Sequence, residues 1–350
     1  MISESAQVAR RAGRHLELAE GAQAVLGRFQ KQVQGGLEEA VAGLPEEMRE
    51  PARYHLGLLP GARFGKALRP TLTMLLAEGL EAPEGHSLPL AAAVQLVHDF
   101  SLLHDDIVDG DRSRRGRPAL WVRDGVPTAL NAGDALLTAA FCVIGGAELP
   151  SAIRARATRR LSRATLEMVG GQQADIAATG TPPDDLGQYL DMVDRKTGAL
   201  MGAAAALGAI AANAAGPTVE ACQRFGRTLG VAFQLRDDML GVFGDSQETG
   251  KPVGNDLLRG KQGLPLVLAL GSNGGLGRTV RGWLEPGGLP DSELAPAVAL
   301  LEERGVAERC QGLTTTWTER ALAAAAKLPL LPQTAEELEV LGRWLGERWS

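Results

Sequence analysis

One stretch constrains the fold of this chain more than any other: residues 91–121, AAAVQLVHDFSLLHDDIVDGDRSRRGRPALW. Its first half is apolar at three- and four-residue steps, through Val94, Val97, Phe100, Leu103 and Ile107, the period of a helix that belongs inside an all-helical core. The same helix then delivers Asp105, Asp106 and Asp109. Asp105 and Asp109 are one turn apart, and Asp106 lies within about 100° of both, so three carboxylates crowd one side. Uncompensated like charges beside a core are costly, and a hard cation with oxygen ligands, magnesium first among them, removes the cost. Arg112, Arg114, Arg115 and Arg117 follow at once. Acids with cations beside them suit a metal-bound, multiply charged anion such as diphosphate.

Alone, such a motif is more often a solvated acidic helix end followed by a basic loop. Recurrence changes that. At 228–261 helix-period apolar residues again lead into paired carboxylates, Asp237 and Asp238, with Gln234 one turn earlier. A loop bearing Asp245, Lys251, Asp256 and Lys261 follows. Two such helices facing each other would set carboxylates on both sides of a diphosphate. Further cations fall at telling places. Lys66 and Arg69 open a helix expected over 72–80, where free backbone N–H groups already favour anions. Lys196 and Thr197 lie inside an apolar helix expected over 186–207, and ask for a polar partner such as phosphate oxygens.

Abundant alanine, leucine and glycine, 4% aromatic residues and few β-branched alternating runs make the fold class all-α. Other helices are expected over 2–42 (one or two), 129–145, 151–176 and 291–348 (two or three), with a proline-containing break at 44–51. Trp317, Trp344 and Trp349 are expected to pack. Length alone allows one domain or two. No repeat or linker divides the chain, and the glycine-rich stretch 271–290 reads as a surface loop, which leaves one domain over 1–350 with a motif core at about 60–265. The formal charge of −6 argues against nucleic acid as a partner. Cys142, Cys222 and Cys310 lack metal-ligand spacing, and the charged opening 1–20 lacks a signal peptide, so a reduced cytoplasmic setting is expected. The uncharged run 198–214 is too short and weakly apolar for a membrane span and reads as a buried core helix.

On these motifs, in order from about residue 65 to 261, the chain resembles the trans-isoprenyl diphosphate synthases, the polyprenyl synthetase family. The resemblance implies the isoprenoid synthase fold, a single-domain helical bundle around a deep central cavity, and commonly a homodimer. It implies condensation of isopentenyl diphosphate with an allylic diphosphate, with two to three magnesium ions. Carried onto this chain, the metal ligands are Asp105, Asp109 and Asp237, with Asp106 and Asp238 supporting. Lys66, Arg69, His98 and Arg115 would hold isopentenyl diphosphate; Arg114, Lys196, Thr197, Gln234 and Lys251 the allylic diphosphate; Lys261 is the late lysine. Released diphosphate would take the final proton. Phe100, five residues before Asp105 and about 7.5 Å along the helix, would floor the cavity beside the small Ser101, which implies a geranylgeranyl-type C20 product, with C15 or longer open. Departures are Gly241 in place of a third aspartate, Ala67 and Gly263. A class I terpene cyclase, which needs no isopentenyl clamp, and a catalytically idle partner subunit are the readings from other classes.

Overall fold

A computed structural model of the chain describes residues 4–178, 185–244, 254–258, 260–261, 263–272, 275–285 and 288–346. The helices in chain order are α1 Glu4–Arg28, α2 Gln30–Ala42, α3 Glu46–Leu56, α4 Leu68–Gly79, α5 Ser87–Val108, α6 Leu120–Asp124, α7 Val126–Gly146, α8 Ser151–Ala178, α9 Leu186–Val193, α10 Ala199–Ala211, α11 Gly216–Phe243, α12 Asn255–Leu258, α13 Leu264–Leu270, α14 Leu276–Trp283, α15 Leu294–Glu303, α16 Val306–Ala325 and α17 Pro332–Gly346. A π-turn, Asp194–Gly198, joins α9 to α10 without a break. The all-α class holds, apart from a two-stranded hairpin in which Ser113–Arg114 pairs antiparallel with Arg117–Pro118.

The centre is α10, whose thirteen residues ALMGAAAALGAIA are all buried, as the run 198–214 predicts. Small side chains let α4, α8 and α11 close on it from three sides. A Cβ at Gly226 of α11, for example, would stand 2.5 Å from the Met201 carbonyl oxygen. α5 packs across α7, α4 and α10. Most of the core is one continuous cluster; a second gathers the distal end of α11 with α9, α13, α14 and α16. α11 carries residues of both, from Phe225 in the first to Met239 in the second.

Three expectations change. The break at 44–51 lies largely within α3, where Pro51 is buried inside the helix. The stretch 271–290 contains α14: Leu276 and Val280, one turn apart, bury their side chains in the second cluster, a period masked by the surrounding glycines. The helix expected over 186–207 holds the π-turn at its middle.

Candidate active site

A cavity of about 630 Å³ opens between α4, α5, α8, α11, the π-turn and α17. Around a helix, residues i, i+3, i+4 and i+7 share a face, and on α5 His98, Ser101, Leu102 and Asp105 form such a stripe along the cavity wall. Asp237 lines the same cavity from α11. Asp109, at the C-cap of α5, is exposed beyond the rim. Burial pushes the Asp105 carboxyl up to about 6; Lys196 opposes the shift, and Asp109 adds to it.

The second aspartate of each pair turns away from the cavity. Asp106, 1% exposed, is bound by the Arg114 guanidinium through both Nε and Nη2. That ion pair aims the rest of Arg114 at the cavity, which it lines. Asp238 accepts from Tyr189 Oη at 2.5 Å, Gln234 Nε2 at 2.7 Å and the Leu264 backbone N–H at 2.9 Å. Burial nevertheless pushes it up to about 6, against those three hydrogen bonds. Three carboxylates therefore do not share one side of α5: one faces the cavity, one is locked behind it, and one stands at the rim.

The cations come from short, irregular backbone. Ala67, the N-cap of α4, has a left-handed φ of 50°, an uncommon conformation for a residue with a Cβ, and it lies between Lys66 and Arg69, both on the cavity wall. Arg69 Nη1 is 3.1 Å from His98 Nε2. Burial pushes the Arg69 guanidinium down to about 10 and the His98 ring well below its usual range, so His98 is neutral near pH 7. Lys66 Nζ sits 4.8 Å above the Trp344 ring. Arg115 and Gly116 form the two-residue turn of the hairpin, both at positive φ, 53° and 75°. The π-turn brings two successive residues to the wall: Lys196 Nζ donates to Asp175 at 2.5 Å, and Thr197 Oγ1 donates to Gln234 Oε1 at 2.8 Å. Gly171 of α8 makes this possible, since a Cβ there would lie 2.3 Å from the Lys196 backbone nitrogen.

The apolar part of the lining includes Phe100, Met168, Val169, Ile176 and Phe233, with Ser101 beside Phe100. Phe100 meets His104 edge-on at 4.8 Å. Lys261 is exposed and close enough to Asp105 to favour its charged form. Lys251 lies outside the described residues. Sequence reasoning missed Trp344, expected only to pack, and Asp175 as the partner of Lys196; the adjacency of Asp175 to the glycines at 170–171 is the one sequence signal that could have found the latter.

The donors fit a hard divalent cation. Asp105 is a carboxylate whose burial is only partly offset within the protein, and Asp237 lines the same space. No group of three potential metal-ligating His, Cys, Asp or Glu side chains is gathered among the described residues, so an ion here would complete its shell with ligand or water oxygens.

Residues 46–285 match the polyprenyl synthetase family model. The chain belongs to that family. It is 41% identical over 298 residues to the geranylgeranyl diphosphate synthase of Mycobacterium tuberculosis, covering 81% of this chain and 83% of that one. Relatives named farnesyl and geranylfarnesyl diphosphate synthases match as well. Among solved structures, a polyprenyl synthetase from Streptomyces coelicolor superposes with a TM-score of 0.85 at 34% identity, over 92% of this chain and 98% of that one. A geranylgeranyl pyrophosphate synthase from Corynebacterium glutamicum, complexed with isoprenyl diphosphate and magnesium, superposes with a TM-score of 0.81 at 25% identity, over 93% and 99%. This polyprenyl synthetase is a prenyltransferase.

Proposed function

We propose that the chain is a short-chain trans-prenyltransferase that condenses isopentenyl diphosphate with an allylic diphosphate and yields the C20 product, geranylgeranyl diphosphate. One observation carries the reading: Asp105 of α5 and Asp237 of α11 line a single cavity whose wall also carries Lys66, Arg69, His98, Arg114, Arg115 and Lys196. Magnesium held by Asp105, Asp109 and Asp237 would supply Lewis-acid stabilisation of the leaving diphosphate. Arg114 and Lys196 share the charge that develops on that group, each already oriented by its own carboxylate, Asp106 or Asp175. Lys66, Arg69 and Arg115 hold the second diphosphate, with neutral His98 donating or accepting a hydrogen bond. Fixing both substrates in one cavity is the entropic share of the catalysis. The apolar lining of Phe100, Met168 and Phe233 takes the growing chain and keeps water from the allylic cation.

The same reading places the protein in the cytoplasm as one domain and as a homodimer. Helix α7 supports the last point: it is long and apolar enough to cross a membrane, yet only 39% of its apolar window is buried within the chain. Leu130 (40% exposed) on α7 and Leu166 (73%) on α8 are exposed apolar side chains of the kind that a second copy would cover. Incubating the purified chain with isopentenyl diphosphate, magnesium and C5, C10 or C15 allylic diphosphates, then sizing the dephosphorylated products, tests the reading. Consumption of isopentenyl diphosphate into a C20 alcohol is expected. Turnover of an allylic diphosphate without isopentenyl diphosphate would indicate a cyclase and overturn it.

A further inference from the structure

Asp99 belongs to none of the aspartate motifs, yet it is as buried as Asp106, at 1% exposure. The two lie seven residues apart on α5 and so share a face two turns from each other. That face looks at the arginine hairpin. Asp106 takes Arg114, and Asp99 takes its neighbour: Arg115 Nη2 donates to Asp99 Oδ1 at 2.8 Å. Gln95 Nε2 donates to the other oxygen at 2.5 Å, and His55 Nε2 stands 3.3 Å from Oδ1. Arg115 also donates from Nη1 to the His55 carbonyl at 2.7 Å. On its remaining side the guanidinium lies over Gly65, where even a Cβ would come within 3.3 Å of it.

Arg115 needs this support. Its backbone sits at φ 53°, a conformation that costs a non-glycine residue free energy unless its surroundings over-determine it. Its charge is largely out of water, at 14% side-chain exposure, beside the half-buried Arg69, whose Nε has no partner. Asp99 is the carboxylate that counters both Arg115 and Arg69. Burial alone would raise the Asp99 carboxyl, but the Arg115 charge, with the hydrogen bond to His55, holds it below the usual carboxylate range.

We infer that Asp99 is a positioning residue for isopentenyl diphosphate: its buried carboxylate fixes the Arg115 guanidinium in the cavity wall, as Asp106 fixes Arg114 for the allylic substrate. The inference rests on the proposed reading of Arg115 as an isopentenyl diphosphate ligand. It makes the two consecutive arginines of the hairpin separately anchored, one for each diphosphate.

The test is steady-state kinetics with each substrate varied in turn. Asp99→Asn is expected to raise KM for isopentenyl diphosphate by about tenfold or more, the scale of one lost charge-assisted hydrogen bond. KM for the allylic diphosphate should stay within about twofold. Asp99→Glu keeps the charge but displaces it by a methylene, and should also raise that KM, which a purely electrostatic role would not produce. It also serves as the readout should the asparagine variant fold poorly. Arg115→Gln should raise the same KM at least as much, and adding Asp99→Asn to it should change little further. An impaired Arg115→Gln beside unimpaired Asp99→Asn and Asp99→Glu variants overturns the role of Asp99 alone. A fall in KM in Asp99→Asn, from the more cationic wall, does the same. An unimpaired Arg115→Gln takes down the reading of the isopentenyl site and this inference together.

Discussion

On α5 the aspartate behind the cavity, Asp106, is bound by a guanidinium; on α11 the corresponding aspartate, Asp238, is bound by a phenol, an amide and a backbone N–H. The two helices repeat one plan, a carboxylate facing the cavity with a second locked beneath it, but they anchor the second differently. An ion pair holds Asp106 and hands Arg114 to the substrate side. Neutral donors leave Asp238 with a carboxyl pushed up to about 6 by burial, and they join it through Gln234 to Thr197 on the π-turn. The first site therefore delivers a cation, whereas the second holds a hydrogen-bonded wall in place.

Replacing either cavity-facing carboxylate should erase the comparison. Asp105→Asn and Asp237→Asn are each expected to lower kcat/KM by about three orders of magnitude or more, since both would hold the metal. Product formation under saturating magnesium measures this, and near-normal turnover in either variant breaks the two-helix scheme.

The anchors should separate next. Asp106→Asn leaves the partly buried Arg114 guanidinium without its counter-charge and should destabilise the fold by about 2–3 kcal/mol. Asp238→Asn keeps most of its partners and should cost about 1 kcal/mol. Urea denaturation of the metal-free variants reads both, and equal losses would mean that the charge of the anchor is unimportant.

Proton linkage sharpens the same contrast. Asp105 and Asp238 bind a proton more tightly in the folded chain, at about 6, than at the ordinary 3.8. Their stabilising contribution is complete below about pH 4 and is lost as pH rises through about 6, by about 1–3 kcal/mol each. Metal-free Asp105→Asn should thus gain on the wild type in melting temperature between pH 5 and pH 7.5 while losing activity. A constant difference across that range counts against a buried, ionising Asp105.

The smallest expected effect lies away from both acids. Phe100→Ala should extend the product by one or more five-carbon units with little change in rate. Chromatography of dephosphorylated products showing an unchanged length would remove Phe100 as the floor.

Much of the site could be read from the residues, because its acids and cations occur in motifs whose spacing is helical. The apolar period into Asp105 and into Asp237 places both at helix ends, and the uncharged run 198–214 is the buried centre. What escaped depends on tertiary approach or on non-helical backbone. No spacing rule separates Asp105, in the cavity, from Asp106, behind it, until the hairpin that carries Arg114 is in place. The π-turn at Asp194–Gly198 lacks a distinct sequence signature, yet it is what turns both Lys196 and Thr197 to the wall. Trp344 reaches Lys66 from the far end of the chain. Leu276 and Val280 were hidden by neighbouring glycines.

Gly171 has a consequence for anyone wishing to retune this enzyme. With its Cα practically touching the peptide of Lys196, the spacing between α8 and the π-turn is set by contact between backbones and offers no side chain to trim. Room for a longer hydrocarbon must be carved from Phe100, Met168 or Phe233 instead, while Gly171→Ala should spread the two elements and blunt ionisation before it altered product size.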